Sequence, residues 1–142
     1  MTPPRGIRNH NPGNLRYTGT RWRGLDTPAH DNAGFCRFTA AVYGIRALAL
    51  NLLNYAWDHN IDTIEGITHR WAPRSDGNDP DEYARAIGKL ADLPIDTRLD
   101  WVDGPDGRAT LERIARAICQ HENGEDPYTV QTWAAGISTA HY

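Results

Sequence analysis

The chain has 142 residues, 39% of them hydrophobic and 23% charged, a length that can bury one substantial core without disulfide or metal staples. A formal charge of -3 at pH 7, from 15 basic and 18 acidic residues, excludes the global electrostatic footprint of a nucleic-acid binder. No apolar run approaches the roughly 18 residues of a membrane span, and Met1-Thr2-Pro3-Pro4-Arg5-Gly6 lacks the apolar stretch of a secretory leader, so the expectation is a protein made in the cytosol that does not insert into a membrane.

Residues 5–38 are rich in Gly, Asn, Pro and Arg, with turn signals at Asn11-Pro12-Gly13 and Asp31-Asn32, which predicts loops and short strands. Phe35-Cys36-Arg37-Phe38 alternates as a half-buried strand does. From Thr39, a candidate N-cap, the residues Val42, Ile45, Ala49, Leu52, Leu53 and Ala56 fall on one helical face, with Asn51 and Asn54 opposite. Asp62-Thr63-Ile64-Glu65 has the residue types of a capping box and predicts a short helix from about Thr63 to His69, ending before Trp71-Ala72-Pro73. Arg74–Asn78 reads as a loop, and Asp79-Pro80 as cap and first residue of a helix running to about Leu90. Pro94–Gly107 reads as a linker. A further helix begins near Thr110 or Leu111 and stops at Gly124, and a last one spans about Val130–Ser138. The expected architecture is α+β, mainly α, in a single domain over residues 1–142, with a small loop and β lobe over 1–38 and a helical body over 39–142.

Chemistry first appears at Glu122. At about 100° per residue, Leu111, Ile114, Ala115, Ile118 and Cys119 form one apolar stripe, and Glu122, about 20° from Leu111, is centred on it. Burial and the negative end of the helix dipole are both expected to disfavour a charged carboxylate there. A glutamic acid so placed suits general-acid work, above all in glycosidases. The structural alternative is that Glu122 reaches past the stripe to solvent or pairs with an arginine. Cys36 and Cys119 have neither the number nor the spacing of a disulfide framework or a zinc site.

The run Gly6-Ile7-Arg8-Asn9-His10-Asn11-Pro12-Gly13-Asn14-Leu15-Arg16-Tyr17 resembles a family of small phage virion or structural proteins, and the match continues through Trp22-Arg23-Gly24-Leu25, Tyr43-Gly44-Ile45-Arg46-Ala47, Arg70-Trp71-Ala72-Pro73 and His121-Glu122-Asn123-Gly124. The order of Asn-rich loop, Trp-x-Gly, strand and helix is similar to a segment of flagellar-type glucosaminidases, and Asp79-Pro80-Asp81-Glu82-Tyr83-Ala84 to their helix with a substrate-side tyrosine. The segment Leu111–Gly124 resembles the helix of lytic transglycosylases that ends in the catalytic glutamate, although Asn123 stands where those enzymes carry serine. That helix lies at the opposite end of the chain from its place in those enzymes. The resemblances imply a lysozyme-like, circularly permuted domain that cleaves peptidoglycan glycan strands, with Glu122 as general acid and Asp31 or Asp26 as a second carboxylate.

Under that reading Trp22, Trp71, Tyr17 and Tyr83 would pack on pyranose rings, while Asn11 and Asn14 would bond hydroxyl and acetamido groups. No cofactor or metal is implied. The implied site of action is the cell wall in the periplasm, reached on a phage particle or through a secretion apparatus. Rival readings are a non-catalytic virion or wall-binding module, a cysteine hydrolase pairing Cys36 with His30 or His121, and a metal site at His10, His30 and Asp31.

Overall fold

The computed structural model describes residues 2–101 and 106–141. Its elements, in chain order, are α1 (Arg5–Arg8), β1 (Leu25–His30), β2 (Cys36–Phe38), α2 (Ala41–His59), α3 (Ile64–Trp71), a one-turn 3-10 helix (Arg74–Asp76), α4 (Pro80–Ala91), α5 (Gly107–Asn123) and α6 (Val130–Ser138). The architecture is α+β and mainly α, as the patterning predicts.

Helix α2 joins the two parts of the molecule because its apolar face is broad. Ile45, Leu48, Leu52 and Leu53 are buried against Leu111, Ile114 and Ile118 of α5 and Trp133 and Ile137 of α6. Ala47, on another flank of the same helix, packs with Leu15, Cys36 and Phe38 of the N-terminal lobe. Any cleft between lobe and helices therefore has α2 as its floor.

The helices that carry the site are set by local chemistry. Thr63 Oγ1 accepts from the Gly66 N–H at 3.0 Å to open α3, and Asp79 Oδ1 accepts from the Glu82 N–H at 3.2 Å to open α4, whose first residue is Pro80. Gly124, with φ 73°, closes α5 directly after the Glu122-Asn123 pair. Arginines satisfy carbonyls at the other ends: Arg113 donates to Ala91 O and Asp92 O at the close of α4, and Arg108 to Ile137 O and Ala140 O at the close of α6.

Three boundaries differ from expectation. Thr39 does not cap α2, because its N–H and hydroxyl both go to Gly24 O, and Ala40 occupies the cap position with no side-chain bond. Helix α5 starts at Gly107, and α3 runs on to include Trp71. The stretch read as a linker is tied down where it is described: Leu99 N–H donates to Asp62 O at 2.7 Å, and Leu99 and Trp101 are buried in the main core; its residues 102–105 lie outside the described residues.

In the lobe, β1 and β2 pair antiparallel with Leu25 opposite Phe38 and His30 opposite Cys36, the register slipping between these points. The 9–22 loop lies across α2 at close range. A side chain at Gly44 would collide with the His10 carbonyl, and a Cβ at Gly13 would lie 2.8 Å from Leu48 Cδ1. The loop is organised around Asn11, which is fully buried. Its Nδ2 donates to Leu15 O and Cys36 O, and its Oδ1 accepts from the Leu15 N–H, all at 3.0 Å. This side chain extends the short backbone ladder that the loop makes with residues 34–36.

Candidate functional site

A cleft of about 710 Å³ opens between the lobe and the helices. Asn14, Arg16, Trp22 and Phe35 line it from the lobe, and Asn51, Tyr55, Trp71, Tyr83 and Glu122 from α2, α3, α4 and α5. The volume falls within the range of small-molecule and oligomer sites.

Glu122 is half-buried in the last turn of α5, where the apolar stripe runs out into this space. Trp71 Nε1 donates to Glu122 Oε1 at 3.4 Å, a long bond that leaves Oε2 available. Trp71 is in turn held edge-on by Tyr55, ring centroids 6.4 Å apart. The Tyr83 ring stacks at a tilt on His121, 4.1 Å between centroids. The Tyr83 hydroxyl is buried beside the Glu122 carboxylate. Burial, then the charge of Glu122 and a hydrogen bond toward it, push the Tyr83 pKa well up, so the group remains an O–H donor. Asn14 Oδ1 is buried with no hydrogen-bond partner among the described residues.

Asn123 locks the glutamate to the lobe. Its Nδ2 donates to Cys119 O within α5 and to Pro12 O in the loop, both at 3.0 Å. Gly6 lies against it, since a Cβ there would collide with Asn123 Oδ1. Glu122 and the 9–22 loop, 100 residues and more apart in sequence, thus form two sides of one cavity.

The remaining sequence candidates sit elsewhere. Asn11 is spent on the loop backbone and does not line the cleft. Tyr17 stacks on His30, centroids 5.1 Å apart, outside the lining. Asp26 pairs with Arg37 at 3.4 Å beside the β1–β2 hairpin. Asp31 closes that hairpin: Oδ1 accepts from the Ala33 and Phe35 N–H groups, and Oδ2 from Asn9 Nδ2 at 2.9 Å. Neither aspartate lines the cleft, because each is committed to the turn or strand that carries it. Burial pushes the Asp31 carboxyl up, but these hydrogen bonds together with Arg5 outweigh it and hold the pKa below its ordinary value. A depressed folded pKa stabilises the protein above the unfolded value of about 3.9 and is lost as pH falls through the folded value. Asp31→Asn should therefore flatten the acid side of a melting-temperature profile recorded from pH 5 to 2, and an unchanged profile would show that these bonds carry no linkage.

The rival chemistries lose their geometry here. Cys36 is fully buried and its thiol pKa is raised by desolvation, while burial and then Asp126 push Cys119 up to about 12, so neither offers a thiolate near neutral pH. His10 Nδ1 bonds to Phe38 O and His30 Nδ1 to Asp31 O. Among the described residues no group of three or more His, Cys, Asp or Glu side chains could hold a metal ion.

Among the lining groups not singled out as site residues from sequence are Asn51 and Tyr55 of α2, Asp76 in a stretch read as a loop, and Arg5, Arg16 and Phe35 of the lobe; of these, periodicity places only Asn51 opposite the apolar face of α2.

No protein-family model matches the chain. Protein P5 of Pseudoalteromonas phage PM2 is similar to it, with 32% identity over 141 residues that cover 97% of this chain and 82% of that protein. The chain belongs to the family of phage protein P5. The phage association expected from the N-terminal motif therefore holds, and because the P5 similarity runs through nearly the whole chain, both walls of the cleft fall within it. No helix among the described residues is long and apolar enough to cross a membrane.

Proposed function

We propose that this protein is a peptidoglycan-cleaving glycosidase of the muramidase, lytic transglycosylase or glucosaminidase type, with a circularly permuted lysozyme-like arrangement and Glu122 as its acid. It is carried by a phage particle and acts on the cell wall in the periplasm. The observation that supports this most is a carboxylate at the end of a buried helix, opening into a cleft walled by Trp22, Trp71, Tyr55 and Tyr83. Flat aromatic faces suit pyranose rings, and the buried, unpartnered Asn14 Oδ1 suits the N–H of an acetamido group or a sugar hydroxyl.

In the reaction, Glu122 gives its proton to the glycosidic oxygen as the bond from the anomeric carbon breaks, and Trp71 holds the other carboxylate oxygen. With Asp26 and Asp31 outside the lining, a single essential glutamate is the simpler scheme. The 6-hydroxyl of the cleaved sugar attacks the anomeric carbon, returns its proton to Glu122, and leaves a 1,6-anhydro end. An inverting hydrolase would instead need a base roughly 6.5–9.5 Å from the acid. Asp31→Asn should accordingly keep most of the turnover while Glu122→Gln loses it; equal loss in both would favour a two-carboxylate hydrolase.

A non-catalytic virion or wall-binding module is the second reading, favoured by the aromatic lining, which can hold glycan without turnover. Pull-down on purified peptidoglycan separates the two. A glycosidase retains binding in Glu122→Gln while fragment release stops, whereas a binding module loses retention in Trp22→Ala and Trp71→Ala and releases no fragments in any form.

A further inference from the structure

Resting on the peptidoglycan reading, we propose that Arg5, Arg16 and Phe35 form an anion subsite in the lobe wall of the cleft that takes carboxylates of the peptide stems, so that the substrate is stem-bearing rather than stem-free glycan.

The Arg5 and Arg16 guanidiniums each stand 4.5 Å from the centroid of one ring, Phe35, and all three residues line the same cleft as Glu122. The arrangement is built on a short ladder. Arg16 and Phe35 are cross-strand neighbours, with Tyr17 N–H bonded to Gly34 O at 2.8 Å and Cys36 N–H to Leu15 O at 2.9 Å. Phe35 is fixed further through its own N–H to Asp31 Oδ1 at 2.9 Å. Arg5 has a partial counter-charge, since its Nε lies 3.7 Å from Asp31 Oδ2. Among the described residues Arg16 has none: its assigned contact is the Phe35 ring.

Two cations gathered on one ring, one of them without a carboxylate, create a local positive potential in a chain whose net charge is -3. A sugar backbone of neutral hydroxyl and acetamido groups gives such a pair no partner. The peptide that branches from each lactyl ether of peptidoglycan does, because it bears free carboxylates. A guanidinium held over the Phe35 ring keeps its N–H edges for other partners, and such an edge can make paired N–H···O bonds to a carboxylate. Lysine could supply the charge but not the fork.

The test is calorimetric titration of Glu122→Gln, which binds without turnover under this reading, with glycan oligomers carrying intact peptide stems and with the same oligomers stripped by an amidase and then capped as methylamides at the lactyl carboxylates that stripping frees, so that they carry no charge. Stem-bearing glycan should bind roughly tenfold more tightly, the scale of one charge-assisted hydrogen bond, and added salt should narrow the gap. Adding Arg16→Gln and Arg5→Gln should close the gap by weakening stem-bearing glycan about tenfold more than stripped glycan, and Arg16→Lys should restore only part of it. Equal affinity for both glycans in the Arg-intact protein would overturn the subsite, as would equal loss for both in the arginine variants. Preference for stripped strands carrying phosphodiester polymer would reassign the anion to phosphate and overturn the peptide assignment. A stem preference in a wild type that releases no fragments would leave the subsite standing and remove the glycosidase reading; turnover without any stem preference would do the reverse.

Discussion

Glu122→Gln is expected to lower turnover on peptidoglycan at least about a hundredfold, the low end of what general acid catalysis contributes, with binding and fold retained. The substitution is nearly isosteric, and its amide oxygen can still accept from Trp71 Nε1, which bonds Glu122 Oε1 at 3.4 Å in the native protein. Glu122 is half-buried at a helix end rather than inside the core, so the stability change should stay within about 1 kcal/mol. What is lost is the transferable proton. Thermal unfolding followed by circular dichroism, beside fragment release, separates the two effects; a well-folded and active Glu122→Gln protein would remove Glu122 from the chemistry.

Asn11→Ala is expected to destabilise the protein by about 3–5 kcal/mol. Removing the amide strands the buried Leu15 N–H and takes a donor from the Cys36 carbonyl and from the Leu15 carbonyl, which keeps only its bond from the Cys36 N–H, and each abandoned group costs about 1–3 kcal/mol. The effect should reach the cleft, since the same loop carries Asn14, Arg16 and Trp22. Urea unfolding gives the stability directly, and a loss below about 1 kcal/mol would show that water replaces the amide at no cost. Asn11→Asp should also destabilise, because an acceptor would then face two carbonyl oxygens.

These two residues illustrate what was legible in sequence and what was not. Glu122 could be found because a helix has a phase: its angular position relative to Leu111, Ile114 and Ile118 put it where the buried stripe meets the opening. Asn11 could be noticed but not assigned, since an asparagine beside Pro-Gly serves a turn or a ligand equally well, and only three-dimensional closure shows its amide consumed by backbone from Leu15 and Cys36. Helices α3 to α6 were readable through short-range rules, such as the Thr63 and Asp79 caps and the Gly124 stop. Helix α1 has four residues and no period to detect. Strand β1 contains Pro28, which argues against a strand except at an edge, and a two-stranded sheet consists only of edges. Leu99 and Trp101 anchor an irregular segment with no repeating pattern, so their burial had no local signature. The far wall of the cleft was hidden for a related reason: Asn51 lies opposite the apolar face of α2 and Tyr55 at the edge of the core, and their place in the cleft depends on where α3 and the loop come to rest.

The central claim is that Glu122 drives glycosidic cleavage in this cleft. Mass analysis of the fragments released from purified, stem-bearing peptidoglycan by the wild type and by Glu122→Gln tests it most directly. The account predicts muropeptides ending in a 1,6-anhydro sugar from the wild type and almost none from the variant. Intact glycan strands after prolonged incubation with the wild type, or fragments released equally by both proteins, would contradict it.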